Sequence, residues 1–294
     1  EKKILKINFE EMKPVTNLLI MAGGASSRMK RSLENAELSD TTLNIARSSH
    51  KSLIPLGKSQ KPLLYYLVHN AVEAGYTDVF LITSPENEAF QQWVGTKISH
   101  NSFAGAQLHF VIQHTPEGRE KPLGTADAVQ QAMEQYPVLQ EEYLSICNGD
   151  NFYSVKAFAL LNQVRDTPHA LISYARSGLI FDDERISKFA VMDIDTEDYL
   201  NNIIEKPESE TIEKYRDLGG EIRVSMNIFS FEGSLLYPYL KNCPIHPIRN
   251  EKELPEAVRK MSLDKVHPIL CFHLKEHLPD LTSADDILSF SNLE

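Results

Sequence analysis

Short apolar segments alternate with amphipathic ones through the first two thirds of the chain. The apolar runs are bounded by polar or turn residues, which predicts strands at 17–22, 78–83, 107–112, 143–148, 169–175, 188–194, 202–205 and 224–231. Helical spacing of apolar positions predicts helices at 62–74, 86–94, 124–135 and 154–166. Such alternation indicates a mostly parallel, mixed central sheet with helices on both faces. The predicted fold class is therefore α/β, with a Rossmann-like, three-layer α/β/α architecture.

We expect residues 1–294 to form a single domain without internal repeats. Residues 1–16 are predicted to be an N-terminal extension. The polar residues 29–50 are predicted to form an inserted loop or short helix, which serves either as a surface excursion or as a lid. The part 234–294 is predicted to be mostly helical, with a strand near 267–274 and a last helix at 284–291. Ser283 and Asp286 have the spacing of a capping box at the start of that helix.

The charge balance narrows the class of partner. The formal net charge of −11 disfavours nucleic acid, but a small phosphorylated ligand needs only a few local cations. No apolar run approaches the roughly 20 residues of a membrane span, and the charged residues 1–14 lack the apolar core of a signal peptide. Cys147, Cys243 and Cys271 are far apart, so a reducing, cytoplasmic location is expected. The oligomeric state stays open.

Segment 18–29 joins an apolar run to two glycines, two serines and an arginine. A buried strand that ends in glycines leaves backbone N–H groups free to cradle phosphate oxygens, and glycine lets a ligand approach closely. Arg28 adds a planar cation suited to phosphate. The segment matches neither the dinucleotide fingerprint GxGxxG nor the Walker A pattern GxxxxGK[ST]. It therefore predicts a phosphate site of another kind.

Further polar residues stand near the predicted carboxyl ends of the strands, where ligands bind in sheets of this type. They comprise cations, carboxylates, amides and a glycine–threonine turn: Lys51, Lys61, Gln113, Gly124, Thr125, Asp150, Glu205, Lys206 and Asn227. Carboxylate oxygens are natural ligands of Mg²⁺, and cations neutralise phosphate oxygens. Together these residues predict a site for a polyphosphate and a hard metal ion.

The order of these motifs resembles that of the sugar-phosphate nucleotidyltransferases, also called nucleoside-diphosphate-sugar pyrophosphorylases. Residues 21–29 are similar to the family motif LAGGxGTRM, and residues 51–63 are similar to its lysine motif KxL[LI]P…KPL. The LGTA, GD and EKP motifs have counterparts around Gly124, Asp150 and Lys206. Five motifs in the same order make the resemblance specific. It implies the nucleotide-diphospho-sugar transferase fold.

The resemblance also implies a reaction. The phosphate of a sugar 1-phosphate would attack the α-phosphorus of a nucleoside triphosphate, and pyrophosphate would leave in line without a covalent enzyme intermediate. These two small molecules are the implied partners. Mg²⁺ is the implied cofactor, with Asp150 and Asn227 as its protein ligands.

The implied roles divide the site into groups. Arg28, Lys51 and Lys206 would neutralise phosphate charge during catalysis. The nucleotide would contact a larger set: Ala22, Gly23, Gly24, Gln113, Gly124 and Thr125. The Gln113 amide would read a pyrimidine edge, since it offers both a donor and an acceptor. The sugar would contact Ala190, Glu205 and Asn227, with Glu205 accepting hydrogen bonds from sugar hydroxyls.

Two features depart from the family pattern. Ala190 stands where glycine lets the sugar approach the backbone, and residues 29–50 lengthen the connection from Arg28 to Lys51. One alternative is a nucleotidyltransferase for another phosphorylated acceptor, such as phosphocholine or a molybdenum cofactor precursor. Another is a nucleotide-sugar-binding protein without activity. A glycosyltransferase is disfavoured because no DxD motif stands at the strand end that carries Asp150. The sequence leaves the sugar and the base open.

Overall fold

The computed structural model describes residues 14–24, 26–35, 40–48, 50–205, 207 and 210–290. The strands in these ranges are β1 (Asn17–Met21), β2 (Pro55–Leu56), β3 (Lys61–Pro62), β4 (Asp78–Thr83), β5 (Asn101–Phe103), β6 (Ala106–Ile112), β7 (Tyr143–Asn148), β8 (His169–Ala175), β9 (Val191–Ile194), β10 (Leu200–Ile204), β11 (Arg223–Glu232) and β12 (Ile269–Leu274). The α-helices are α1 (Ser27–Ser32), α2 (Asp40–Ser48), α3 (Leu63–Glu73), α4 (Glu88–Val94), α5 (Thr125–Gln135), α6 (Val155–Asn162), α7 (Asp183–Ile186), α8 (Gly233–Lys241), α9 (Leu254–Asp264) and α10 (Ala284–Ser289). Within the described ranges, none of these helices has the length and apolar character needed to cross a membrane.

One large mixed sheet organises the molecule. Its strands run in the order β10-β9-β11-β7-β1-β4-β6-β5, and β8 with β12 branches from β11. The centre, β7-β1-β4-β6, is parallel, whereas β11 pairs antiparallel with β7, β8 and β9. The strand order reverses at β1, since β4 and β6 lie on one side of it and β7 on the other. Sheets of this kind bind ligands at the carboxyl ends of the strands beside such a reversal.

Side chains of β1 alternate between two hydrophobic clusters on opposite faces of the sheet. Leu18 and Ile20 enter one cluster, Leu19 enters the other, and all three are fully buried. Helices α3 and α6 contribute to the first cluster, and α5, α8 and α9 contribute to the second. Because both faces are covered, the central strands are mostly apolar. The predicted three-layer α/β/α fold is confirmed.

Element bounds agree closely with the sequence prediction in the centre of the sheet and less well outside it. Strands β4, β7 and β8 have the predicted bounds. The strand predicted at 188–194 begins only at Val191, because α7 and the turn after it occupy the preceding residues. The helix predicted at 154–166 ends at Asn162, where the Arg165 guanidinium donates to the Leu161 carbonyl over 2.9 Å. The capping box of Ser283 and Asp286 is present.

The segment 29–50 contains the rest of α1, a short 3₁₀ turn at Leu33–Asn35 and α2. Met29, Leu33 and Ala46 are buried in a third cluster, which also contains side chains from the C-terminal part, Leu281 and Phe290 among them. Apolar packing therefore fixes this segment against α10. Residues 36–39 and 49 lie outside the described residues, as do residues 1–13 of the predicted extension. The division into one domain stays a prediction.

His169, at the start of β8, should make the free energy of unfolding depend on pH. It is fully buried, and neither ring nitrogen has a hydrogen-bond partner among the described residues. Burial, reinforced by His267 and Arg165, lowers the pKa of His169 from 6.5 to about 3. As pH falls, the unfolded chain therefore takes up this proton before the folded chain does. We expect the free energy of unfolding to decline below the ordinary pKa, by up to about 1.4 kcal/mol per pH unit for this histidine.

Urea unfolding between neutral pH and about pH 4 measures this decline. His169→Leu should flatten the slope, because leucine has no proton to bind. His114→Gln, at an exposed histidine, should leave the slope unchanged. An equally steep decline in His169→Leu would show that the imidazole is not its source.

Candidate active site

Four strand ends converge at the carboxyl edge of the parallel strands. The first residue after each of three strands still donates a backbone hydrogen bond to the neighbouring strand. These bonds are Ala22 N–H to Ile82 O at 2.8 Å, Gln113 N–H to Thr83 O at 2.8 Å, and Gly149 N–H to Met21 O at 2.9 Å. This register brings residues 22–24, Gln113 and Asp150 to one edge. They surround a cavity of about 430 Å³, here called the glycine-loop cavity, which Gly23, Gly24, Lys51, Gln113 and Asp150 line.

The glycine loop presents two of its three predicted nucleotide contacts to this cavity. Gly23 and Gly24 line it, whereas Ala22 is buried and donates its N–H to the sheet. A Cβ atom at Gly23 would lie 3.3 Å from Oε1 of Gln113, so the backbone and this amide are in close contact. A Cβ at Gly24 would meet no atom within 4 Å. Gly24 therefore leaves its surface open to a ligand.

Lys51 and Asp150 form an ion pair through the ammonium group and Oδ2. Both side chains are largely buried, with 16% and 21% of their surfaces exposed. The Lys51 backbone N–H donates to Ser26 Oγ over 3.2 Å, which ties this lysine to the end of the glycine loop. The structure therefore brings Lys51 to the site even though residues 29–50 separate it from Arg28 in sequence.

A second cavity of about 460 Å³ opens on the other side of Asp150 and is here called the Asn227 cavity. Arg28, Asn227 and Lys188 line it, and Asn148 and Asp150 line both this cavity and the glycine-loop cavity. Arg28 lies in the first turn of α1 and has an exposed side chain. The residues that end β7 thus form a wall between two cavities, each of which contains cationic side chains.

Asn227 reaches its cavity because β11 is irregular there. Its φ is 55°, in the left-handed region, and the pairing of β11 with β8 shifts register between Ser225 and Phe229. Such irregularities re-aim side chains beside functional sites. Ile228, the next residue, lies opposite Cys147 of β7, so Asn227 and Asp150 meet at the same end of the sheet.

Asp150 and Asn227 fit Mg²⁺ in the chemistry of their donor atoms. They offer carboxylate and amide oxygens to one cavity, and Mg²⁺ is commonly held by one or two protein ligands together with substrate phosphates and water. In the part of the chain that the structure describes, no three His, Cys, Asp or Glu side chains are grouped so that they could hold a metal ion. Phosphates and water would therefore supply the remaining ligands.

The Gln113 side chain is buried, and its amide nitrogen already has two partners. Nε2 donates to the Gly124 carbonyl over 3.0 Å and to Oδ2 of Asp127 over 3.3 Å. Both partners are acceptors, so the hydrogen bonds assign Nε2 to that side and Oε1 to the side of Gly23. With Nε2 bound to these two acceptors, Oε1 is the amide atom beside Gly23, which lines the glycine-loop cavity. The role of Gln113 in base recognition stays a prediction.

Gly124 and Thr125 fasten the start of α5 to the segment that precedes α9. Three hydrogen bonds join the two segments: Lys252 N–H to Leu123 O at 2.6 Å, Ala126 N–H to Lys252 O at 3.0 Å, and Leu254 N–H to Thr125 Oγ1 at 2.8 Å. Gly124 has a φ of 116°, and a Cβ there would lie 2.4 Å from the Lys252 carbonyl oxygen. Both residues also line the glycine-loop cavity. They therefore hold α5 in place and also form part of the cavity wall.

The three predicted sugar contacts do not meet in one cavity. Glu205 lines a third cavity of about 480 Å³, here called the Glu205 cavity, whereas Asn227 lines its own. Ala190 lines none of the three cavities, and its carbonyl accepts from Ser225 N–H over 2.9 Å. Ala190 and Glu205 flank the paired ends of β9 and β10. Lys206 lies outside the described residues.

His50 is a site residue that the sequence did not single out. It lines the glycine-loop cavity beside Lys51, and its Nδ1 accepts from Ser52 N–H over 3.2 Å. Burial, reinforced by the charge of Lys51, lowers the pKa of His50 from 6.5 to about 4. A neutral imidazole therefore stands beside the glycine loop. Its only signal in the sequence is its position next to the lysine motif.

Comparison with known proteins identifies the family and the fold. A family model described as nucleotidyl transferase matches residues 18–291. The chain belongs to the nucleotidyl transferase family. One solved structure with a similar fold is the crystal structure of UDP-glucose pyrophosphorylase complexed with UDP-glucose. Its TM-score is 0.67 at 16% identity, and the match covers 95% of this chain and 97% of that chain. The likeness shows the fold, which is the predicted nucleotide-diphospho-sugar transferase fold.

The curated relatives are longer than this chain and match it only over part of their length. The glucose-1-phosphate adenylyltransferase of Koribacter versatilis (strain Ellin345) is 23% identical over 226 residues, which are 76% of this chain and 49% of that protein. The glucose-1-phosphate thymidylyltransferase of Neisseria gonorrhoeae is 27% identical over 197 residues, which are 65% of this chain and 55% of that protein. This member of the nucleotidyl transferase family thus spans about half the length of the curated relatives it matches.

Proposed function

We propose that the protein transfers a nucleoside monophosphate from a nucleoside triphosphate to a sugar 1-phosphate, which gives a nucleoside-diphosphate sugar and pyrophosphate. One observation carries the proposal. Asn148 and Asp150 form a wall shared by the glycine-loop cavity and the Asn227 cavity, so two phosphate-bearing substrates can meet at Asp150. The names of the curated relatives, which act on glucose 1-phosphate, support the same class of reaction.

In this proposal the chain acts by positioning substrates and neutralising charge. The backbone N–H groups of the glycine loop bind the triphosphate, and Lys51 neutralises the phosphate that is transferred. Arg28 stabilises the departing pyrophosphate, and Lys206 binds the sugar phosphate. Asp150 and Asn227 would hold Mg²⁺, which supplies positive charge between the two anionic substrates when it is bound.

The test is pyrophosphate release across a grid of nucleoside triphosphates and sugar 1-phosphates with Mg²⁺. We expect at least one pair to react well above an Asp150→Ala control. If no sugar reacts but phosphocholine does, the acceptor is wrong and the reaction class stands. If no acceptor reacts and a nucleotide sugar still binds in calorimetry, the protein is a binding protein and the proposed function fails.

We further infer that Gln113 selects the base through its acceptor. Oε1 lies beside Gly23, which lines the glycine-loop cavity, and it fits the N3–H donor of uracil or thymine, whereas cytosine presents an acceptor at N3. Gln113→Ala should therefore narrow the preference for UTP or dTTP over CTP by about tenfold in kcat/KM. Gln107→Ala, at an exposed glutamine of β6, is the matched control and should change nothing. An unchanged preference in Gln113→Ala removes this residue from the base site.

The proposed setting is the cytoplasm, with small molecules as partners. Cys147, Cys243 and Cys271 are free and buried. Burial raises the pKa of each of these thiols, which keeps them protonated and unreactive. Buried free thiols support the cytoplasmic proposal, since they are typical of proteins from reducing compartments.

A further inference from the structure

The Glu205 cavity combines an apolar floor with a charged rim. Residues such as Ile203, Pro244 and Pro255 belong to its lining. Its acidic side chains are Glu205, Glu251, Glu253 and Glu256. A pyranose fits such a place, because its ring faces are apolar and its edge carries hydroxyls. Glu251 also lines the glycine-loop cavity, so a sugar in the Glu205 cavity can extend its phosphate into the glycine-loop cavity, which Asp150 lines.

Arg249 does not itself line the cavity, but it joins two of the carboxylates that do. Its Nη2 donates to Oε2 of Glu205 over 2.7 Å, and its Nη1 donates to the carboxylate of Glu253. Glu205 is about half-exposed and Glu253 is largely buried. The guanidinium of Arg249 therefore connects an exposed carboxylate with a buried one. A guanidinium has five N–H donors, and three of them are left for other acceptors.

The loop that carries Arg249 is held by its own hydrogen bonds. Nδ1 of His246 accepts from the backbone N–H groups of Ile248 and Arg249, both at 3.2 Å. From outside the loop, Arg119 Nη2 donates to the Asn250 carbonyl over 2.5 Å. A structured turn therefore holds the guanidinium against the carboxylates of Glu205 and Glu253. A rigid support of this kind is what a residue that orients others requires.

We propose that Arg249 is a positioning residue that determines which sugar 1-phosphate binds, an inference that rests on the proposed function. It fixes the carboxylates of Glu205 and Glu253 so that their free lone pairs accept hydrogen bonds from sugar hydroxyls. Among the described residues, the cavity has four carboxylates, and the guanidiniums of Arg249 and Arg259 pair with three of them, which leaves excess negative charge. The cavity therefore accepts neutral and amino sugars and rejects sugars that carry an additional carboxylate or phosphate.

Arg249→Met removes the cation and keeps most of the apolar stem. We expect KM for the sugar 1-phosphate to rise about tenfold, the size of one hydrogen bond to a charged group, while kcat and KM for the nucleoside triphosphate stay the same. Arg249→Lys should recover part of the loss, because an ammonium supplies charge without the fork. The matched control is Arg216→Met, at an arginine that pairs with Glu213 in an exposed position.

A charge series of substrates gives the second readout. Glucosamine 1-phosphate and glucuronic acid 1-phosphate each differ from glucose 1-phosphate at one position, with an ammonium at C2 and a carboxylate at C6. Because Arg249→Met makes the rim more negative, kcat/KM should shift toward the amino sugar and away from the acid, by about fivefold or more in each ratio. A purely structural role would instead change both substrate KM values together and lower the thermal midpoint.

The outcomes separate the inference from the proposed function. If wild-type protein turns over no sugar 1-phosphate, the proposed function fails. If wild-type protein is active and Arg249→Met keeps its sugar KM and its charge ratios, only the role of Arg249 is overturned. If both KM values rise together with a lower thermal midpoint, the arginine is structural and the inference is again overturned.

Discussion

Asp150→Asn is expected to lower kcat by about three orders of magnitude, which equals roughly 4 kcal/mol of lost transition-state stabilisation. The Asp150 carboxylate lies on the wall between the glycine-loop and Asn227 cavities, where the two phosphate groups of the proposed reaction would meet. Asparagine keeps the shape and one oxygen but removes the charge that a hard cation requires. Pyrophosphate release at saturating substrates measures the change, and a Mg²⁺ titration should show a higher requirement.

Two comparisons make this result specific. Asp193→Asn removes a half-buried carboxylate of β9 that lines none of the three cavities, so it should retain wild-type kcat. Asp150 also pairs with Lys51, and both side chains are largely buried, so Asp150→Asn leaves the Lys51 ammonium without its carboxylate and should lower the thermal midpoint. The kcat values are therefore compared at a temperature at which both variants are folded. A folded Asp150→Asn variant with nearly wild-type kcat would contradict the assignment.

The sequence predicts the fold well where hydrophobic runs are long. Strands β4 and β7 are six residues each, and burial on both faces makes most of those residues apolar. Strands β2, β3 and β5 were not predicted, because two or three residues are too few to show a period. The helices within 29–50 were predicted only as a loop or short helix, since their burial depends on contacts with α10.

The candidate site is predictable wherever a residue directly follows a parallel strand. Gly23, Gln113 and Asp150 come together because the register of β7, β1, β4 and β6 places those strand ends at one level. The same logic does not reach Arg249, which meets Glu205 across 44 residues of chain through a loop with no strand pairing. It also misses the partners of Gln113, because the contact with Asp127 depends on how α5 packs against the end of β6.

Topology also explains why Glu205 and Asn227 separate although both follow from the same resemblance. Glu205 follows β10, at the edge of the sheet, whereas Asn227 lies in β11, next to β7. Strand β9 lies between them. Neighbouring motifs in sequence therefore line different cavities, and only the strand order shows which of them adjoins Asp150.

Gly124→Ala is expected to lower the free energy of unfolding by about 3 kcal/mol or more. Its φ of 116° lies in a region that side chains rarely adopt, and the new Cβ would lie 2.4 Å from the backbone oxygen of Lys252. A backbone atom cannot rotate away, so the segment before α9 must shift. That movement would strain the hydrogen bonds between residues 123–126 and 252–254. Urea unfolding followed by circular dichroism measures the loss.

Two other glycines separate the causes of this effect. Gly118 has a φ of 79° but open space around it, so Gly118→Ala should cost only the backbone term, about 1 kcal/mol. Gly24 has neither a positive φ of this kind nor a neighbour within 4 Å, so Gly24→Ala should leave stability unchanged. The difference between Gly124→Ala and Gly118→Ala then reports the clash with Lys252. If those two variants unfold at the same urea concentration, the contact between α5 and the segment before α9 is looser than the structure indicates.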